Sequence, residues 1–291
     1  RPEAEGAEGA PSPTLAHLAK ALGMQGGAPP RRGAVVNLGA GCYQFGGVQR
    51  DPMQELTDWL NLSAVLIDPL GPCGGDSGQR AGQRFIRAAA TPENLGRLLR
   101  GAGLAPRRRT PAPGGVAGSA ATRVPVEALK VDVDSCDCEL AAAALRHLRP
   151  KAVWLEVNLA VPPPLRFSRG CHPAFWDAWR LWSSLGRTFS TFGCSLSAAS
   201  ELMAREGYRL YGIDGTDAVF LEGGLADAVG EAAVDERLCY EETEGPLRVP
   251  IAYIREWLAA PAEVALRRLG CNFSLHDRLL GIGTLPSSLA A

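Results

Sequence analysis

The chain has 291 residues, 46% hydrophobic and 21% charged, so it can bury a sizeable core and is not a disordered chain. Its 30 Lys and Arg nearly balance 31 Asp and Glu, leaving a formal net charge of −1. That excludes a global positive field for nucleic acid or an anionic membrane, and no apolar run approaches the roughly 20 residues of a membrane helix.

Gly and Pro make up about a fifth of the chain, high for a compact domain. The lysines are Lys20, Lys130 and Lys151, and every other basic residue is Arg. This reads first as a composition bias of the source genome. The eight cysteines are Cys42, Cys73, Cys136, Cys138, Cys171, Cys194, Cys239 and Cys271. That density is far below a disulfide scaffold, so mostly reduced, buried thiols and an intracellular or organellar setting are expected. The chain opens on Arg1, which reads as a processed or truncated start.

In chain order, residues 1–33 read as a flexible arm with one short helix capped by Thr14. Ala34-Val35-Val36-Asn37-Leu38 is a strand running into Gly39-Ala40-Gly41. Pro52 to Leu62 places Met53, Leu56, Trp59 and Leu60 on one helical face. Ala64 to Ile67 is a second strand, ending in Asp68-Pro69. Arg84 to Ala89 is a third, and Thr91 with Pro92 starts a helix that stops at Gly101. Ala105 to Arg123 is an inserted Pro/Gly-rich loop. Ala128 to Val133 and Ala152 to Asn158 are the fourth and fifth strands, with a helix from Cys138 to Leu148 between them.

An aromatic-rich helix follows at Phe175 to Leu185, then a helix from Ser195 to Glu206 closed by Gly207. Tyr208 to Ile213 and Ala218 to Leu221 form a hairpin around Asp214-Gly215. Residues 223–291 read as a helical extension. Apolar strands without alternation imply a parallel sheet buried on both faces. The expected class is therefore α/β, a mostly parallel sheet with a terminal antiparallel hairpin and helices on both faces.

In such a sheet ligands bind at the carboxyl ends of the strands. Gly39 and Gly41 end the first strand there, and a glycine turn lets backbone approach a ligand and open a helix. Asp68 ends the second, where an acid can accept the hydroxyls of a ribose. Asp132 and Asp134 end the fourth strand. Flanking Val133 on a strand, they would share one face and contact a ligand, hold a divalent metal, or cap the next helix. Glu156 ends the fifth and, with Asp134 and His172, is a candidate general base. Cys136, Cys138, Cys171, His172 and Cys194 fit no standard zinc spacing, so no metal is assigned. Trp176, Trp179 and Trp182 share a helix face that reads as packing. The pattern G-x-G-x-x-G fails at Gln44, against a nicotinamide dinucleotide fold.

Leu129-Lys130-Val131-Asp132-Val133-Asp134-Ser135-Cys136-Asp137 resembles the IDIDGxD or IDVEGxE signature of FkbM-like methyltransferases. Thr91-Pro92-Glu93-Asn94, Glu156-Val157-Asn158 with Pro162-Pro163-Pro164, and Gly193-Cys194-Ser195 through Gly207-Tyr208 resemble further segments of that group. The resemblance runs from about Ala34 to Leu221. It implies a Rossmann-like methyltransferase domain over 34–222, S-adenosylmethionine as cofactor, and O-methylation of a hydroxyl on a sugar or small molecule. Gly39, Gly41, Asp68 and Asp132 would then hold the cofactor, and Asp134, Glu156 and His172 would serve transfer. The chain departs from the group at Ser135, where Gly is usual, and lacks the acid after the glycine turn. The alternative is an inactive methyltransferase-like subunit that meets other protein subunits through its N-terminal arm and C-terminal extension.

Overall fold

The computed structural model describes residues 33–40, 43–45, 48–50, 53, 57, 61–71, 82–104, 123–159, 161–172, 192–229 and 234–242. Gly41, most of the arm, the helix expected over 52–62 apart from Met53, Thr57, Asn61 and Leu62, the inserted loop up to residue 122, the tryptophan helix and the helices expected beyond residue 250 lie outside these residues.

The strands are β1 (Ala34–Leu38), β2 (Tyr43–Phe45), β3 (Val48–Arg50), β4 (Ser63–Asp68), β5 (Gln83–Arg87), β6 (Val124–Val131), β7 (Leu148–Glu156), β8 (Tyr208–Asp214) and β9 (Asp217–Glu222). Seven form one sheet in the order β5-β4-β1-β6-β7-β9-β8, while β2 and β3 pair separately. β9 runs antiparallel to both its neighbours, and the other pairings in the sheet are parallel. The expected class therefore holds.

The hairpin turns through Gly215 at φ +64°, a sign that two-residue loops require and L side chains avoid. The later strand, β9, takes the interior place beside β7, which chain order alone did not reveal. Burial explains it. Asp217 to Leu221 are all buried, whereas β8 exposes Arg209 and half-buries its last four residues. The more apolar strand gains most from two covered faces.

Five helices are described: α1 (Leu95–Gly101), α2 (Asp137–Leu145), α3 (Leu196–Arg205), α4 (Gly223–Val229) and α5 (Glu236–Glu242). Alternate strand residues feed opposite faces. Val36, Leu38, Leu129, Val131, Val153, Leu155 and Phe220 pack with apolar residues of α1, α2, α3 and α5. Val35, Ala128, Ala152, Trp154, Val219 and Leu221 pack on the other face with Met53 and Ala226 of α4. Residues of 223–229 and 234–242 thus share the core of the sheet. Tyr240 is nearly fully buried, and its hydroxyl donates to the Leu159 carbonyl.

Boundaries shift where capping competes. Residues 91–94 form a turn before α1. Asn94 Oδ1 accepts from the Thr91 amide at 2.9 Å, and Thr91 Oγ1 accepts from the Asn94 amide at 3.3 Å. At α3 the N-cap is Ser195. Ser195 Oγ accepts from the amides of Phe167 (2.9 Å) and Ala198 (3.3 Å) and donates to Leu165 O (2.7 Å).

Candidate functional site

From β1 the chain steps to β4 and β5 on one side, then returns to β6 and β7 on the other. The crevice outside the carboxyl ends of β1 and β6 is the topological switch point, where ligands of open α/β sheets sit. Gly39 lies there at φ +88°, and a Cβ on it would fall 1.6 Å from the Asp132 carbonyl oxygen. The Gly39 amide donates to Ile67 O and the Asp132 amide to Leu38 O, each at 2.9 Å. The glycine is therefore needed for strand-to-strand approach. Beyond it the chain enters the β2–β3 hairpin rather than a helix, which corrects the expectation of a helix N-terminus at this turn.

Asp68 is where the sequence placed it, at the end of β4, and it is 5% exposed. Its Oδ1 accepts from the Leu70 amide at 2.6 Å. Burial raises its pKa, opposed by the Leu70 and Gly71 amides and reinforced by Asp132.

Asp132 and Asp134 lie past the end of β6, not on it. Strand alternation is thus not what aligns them. Asp134 adopts φ +53°, a left-handed conformation that Asp tolerates better than most residues. That bend, rather than a shared strand face, accompanies the approach of the two acids. One carboxylate oxygen each from Asp132, Asp134 and Glu156 lies within 4.8 Å of the others. Glu156 comes from the end of β7, and its register partner is Asp217 at the start of the antiparallel β9. Asp217 escaped the sequence reading because its place at this end follows from strand order.

A buried cation sits among these acids. Lys130 Nζ lies 2.9 Å from Asp132 Oδ2 and donates to Asp217 Oδ2. Burial alone would lower the lysine pKa, but Asp132 and Asp217 outweigh it and hold the ammonium above its usual range. Burial raises Glu156 well above the carboxylate norm, and Asp132, Asp137, Asp134 and Asp217 add to that. Among the described residues, three buried carboxylate oxygens have no hydrogen-bond partner: Asp132 Oδ1, Glu156 Oε2 and Asp217 Oδ1.

Asp137, fully buried at the start of α2, accepts from the amides of Val133 (2.7 Å) and Ser135 (3.2 Å). It holds the 133–135 turn in shape. Two disulfides clamp the same segment. Cys136 pairs with Cys171, and Cys138 with Cys194, with Cα–Cα distances of 4.9 and 5.9 Å. This corrects the expectation of mostly reduced cysteines. Sequence separations of 35 and 56 residues gave no hint of the pairing, which the packing of α2 against the 161–172 and 192–195 segments creates. It also leaves these four thiols unavailable to zinc. Cys239 is in neither disulfide, and burial pushes its thiol up to about 11. His172 follows Cys171, is exposed, and does not join the carboxylate trio.

The buried acids set a pH dependence. Burial pushes Asp217 up to about 6 from an ordinary 3.8, with Lys130 opposing. Asp137 and Asp68 shift upward as well, both mainly through burial. Between the unfolded and folded values the native chain holds a proton that the unfolded chain has released. Stability therefore falls as pH rises through that window. Urea midpoints are expected to be higher near pH 5 than near pH 7.5. Equal midpoints, or a lower one in acid, would contradict the burial of these groups.

A cleft of about 340 Å³ lies at the opposite, amino end of the sheet, lined by Arg123, Arg149, Glu206, Tyr208 and Glu222 among others. Its arginines are engaged in ion pairs, Arg123 with Glu206 and Arg149 with Glu222.

No protein-family profile matches the sequence, and no curated protein matches it. Among solved structures, TnmH is similar at 14% identity and a TM-score of 0.33, over 66% of this chain and 50% of that one. An O-methyltransferase family protein from Burkholderia thailandensis is similar at 12% identity and a TM-score of 0.36, over 72% and 54%. The cyclopropane synthase MmaA2 from Mycobacterium tuberculosis is similar at 12% identity and a TM-score of 0.33, over 78% and 74%. The chain spans about half the length of the first two. Likenesses this distant carry no weight for chemistry. The fold rests on the strand order, a Rossmann-like sheet of the methyltransferase type with one antiparallel strand, β9, set between β7 and β8.

Proposed function

We propose that the chain is an S-adenosylmethionine-dependent methyltransferase acting on a hydroxyl of a small molecule or sugar. The observation that carries this is the collection of Asp68, Asp132, Asp134 and Glu156 at the carboxyl end of a methyltransferase-type sheet, around its switch point. A cofactor with a ribose fits a buried acid at the end of β4. The orphaned Asp132 Oδ1 leaves an acceptor beside the same crevice. In this reading Gly39, Gly41 and Asp68 hold the cofactor, which supplies an electrophilic methyl group. Asp134, half-buried, orients the acceptor hydroxyl, and Glu156 takes its proton. Burial that raises the Glu156 pKa makes its ionised form a stronger base. His172, exposed beside the Cys171 that is bonded to Cys136, is kept as a secondary candidate.

A second reading is favoured by one observation. Gly39 and Asp68 both already have structural tasks, strand approach at Gly39 and the Leu70 turn at Asp68. An inactive subunit that uses its arm and C-terminal extension to meet other proteins would need no more than this. The two disulfides also fit an oxidising compartment.

Calorimetric titration with S-adenosylhomocysteine separates the readings. Binding with a Kd on the order of micromolar, lost in Asp68→Ala, is expected of the transferase. No heat up to roughly millimolar ligand would leave the assembly role.

A further inference from the structure

We propose that Asp132, Asp134 and Glu156 bind one hard divalent cation, magnesium or calcium, a site that the sequence alone did not assign. The three donors come from two neighbouring strand ends and converge with one oxygen each within 4.8 Å of the others. Oxygens around magnesium lie about 3 Å apart when adjacent and about 4 Å when opposite, and around calcium about 3.4 and 4.8 Å. A spread of up to 4.8 Å suits ligands of one calcium ion as it stands, and magnesium would draw the three oxygens in by about 1 Å.

The second observation is independent of that spacing. Asp132 Oδ1 and Glu156 Oε2 belong to residues only 8% and 6% exposed, and neither atom has a hydrogen-bond partner. A buried carboxylate oxygen left unpartnered is a strong cost, because it has given up water for nothing. Lys130 does not meet this need. It is committed to the other oxygen of Asp132 and to Asp217. The one ammonium is shared between Asp132 and Asp217, which leaves none of its charge for the rest of the cluster.

The donor set chooses the metal. Carboxylate oxygens favour magnesium, calcium or manganese over zinc or copper. The nearby thiols of Cys136 and Cys138 are closed in disulfides. Asp134 is half-buried, so an ion can enter from its side, and one of its carboxylate oxygens lies within 4.8 Å of one from each of the other two. The site does not depend on the methyltransferase reading, since a cation could complete the charge of this end of the sheet in either role.

The test uses the full-length, disulfide-intact chain, treated with chelator and titrated calorimetrically with magnesium chloride and with calcium chloride near neutral pH. One ion per chain is expected, with a Kd of about 1 mM or tighter. Asp134→Asn and Glu156→Gln should each weaken it by about tenfold or more, with circular dichroism checking that both variants fold. Manganese provides a reading without variants: its bound fraction should enhance water-proton relaxation and be displaced by magnesium or calcium. No saturable heat up to about 10 mM together with no displaceable manganese would overturn the site, as would affinities unchanged in both variants. S-adenosylhomocysteine is absent throughout, so failure here and failure of cofactor binding are read separately.

Discussion

Lys130→Met is expected to destabilise the chain by about 3–5 kcal/mol at neutral pH, the cost typical of removing one partner from a buried ion pair. Lys130 is 2% exposed and bridges Asp132 and Asp217 across β6 and β9. Methionine has the right length and keeps the apolar stem, so packing changes little. What is lost is the positive charge that compensates two buried carboxyl groups. The double change Lys130→Met with Asp217→Asn should recover part of the loss, because it removes one stranded charge. Urea unfolding of the four members of that cycle measures the coupling. Additive effects of the two substitutions would show that the bridge is not formed.

Reducing the disulfides should have an effect of similar size. Closing loops of 35 and 56 residues removes chain entropy worth about 4 kcal/mol each when taken alone. The loops overlap, so opening the second costs less than opening the first. A thermal melt with and without dithiothreitol measures the loss, and unchanged midpoints would mean that the pairs are not closed in solution. Cys136 and Cys138 flank Asp137, whose carboxylate holds the amides of Val133 and Ser135. Reduction should therefore also loosen the turn that brings Asp134 toward Asp132 and Glu156. Weaker cation binding in the reduced chain is the expected companion of the lower melting point.

Much of the scaffold could be read without coordinates. β1, β4 and β5 stand within a residue or two of their expected places, because their hydrophobic runs are bounded by Gly, Pro and Asp. β6 and β7 each begin four residues earlier than expected. Their first halves contain Pro125, Glu127, Arg149 and Pro150, which do not look like strand until a parallel partner satisfies the backbone. The β2–β3 hairpin was not foreseen, since Tyr43 to Arg50 is too short to show a period.

The candidate site divides the same way. Asp68, Asp132, Asp134 and Glu156 were legible as acids at strand ends, because each stands at or just beyond the end of a largely apolar run. That reasoning is local and needs no partner. The sequence by itself thus determined a parallel α/β sheet, its closing hairpin and the acids at one end of it. The tertiary structure alone decided that β9 lies between β7 and β8, which brings Asp217 to the same pole as Lys130, Asp132 and Glu156. It alone paired Cys136 with Cys171 and Cys138 with Cys194, and bent Asp134 into the carboxylate cluster. The physical reason is common to all three. Each depends on residues distant in the chain meeting in space, and the free energy that selects the pairing is burial and charge compensation, which no local window of sequence contains.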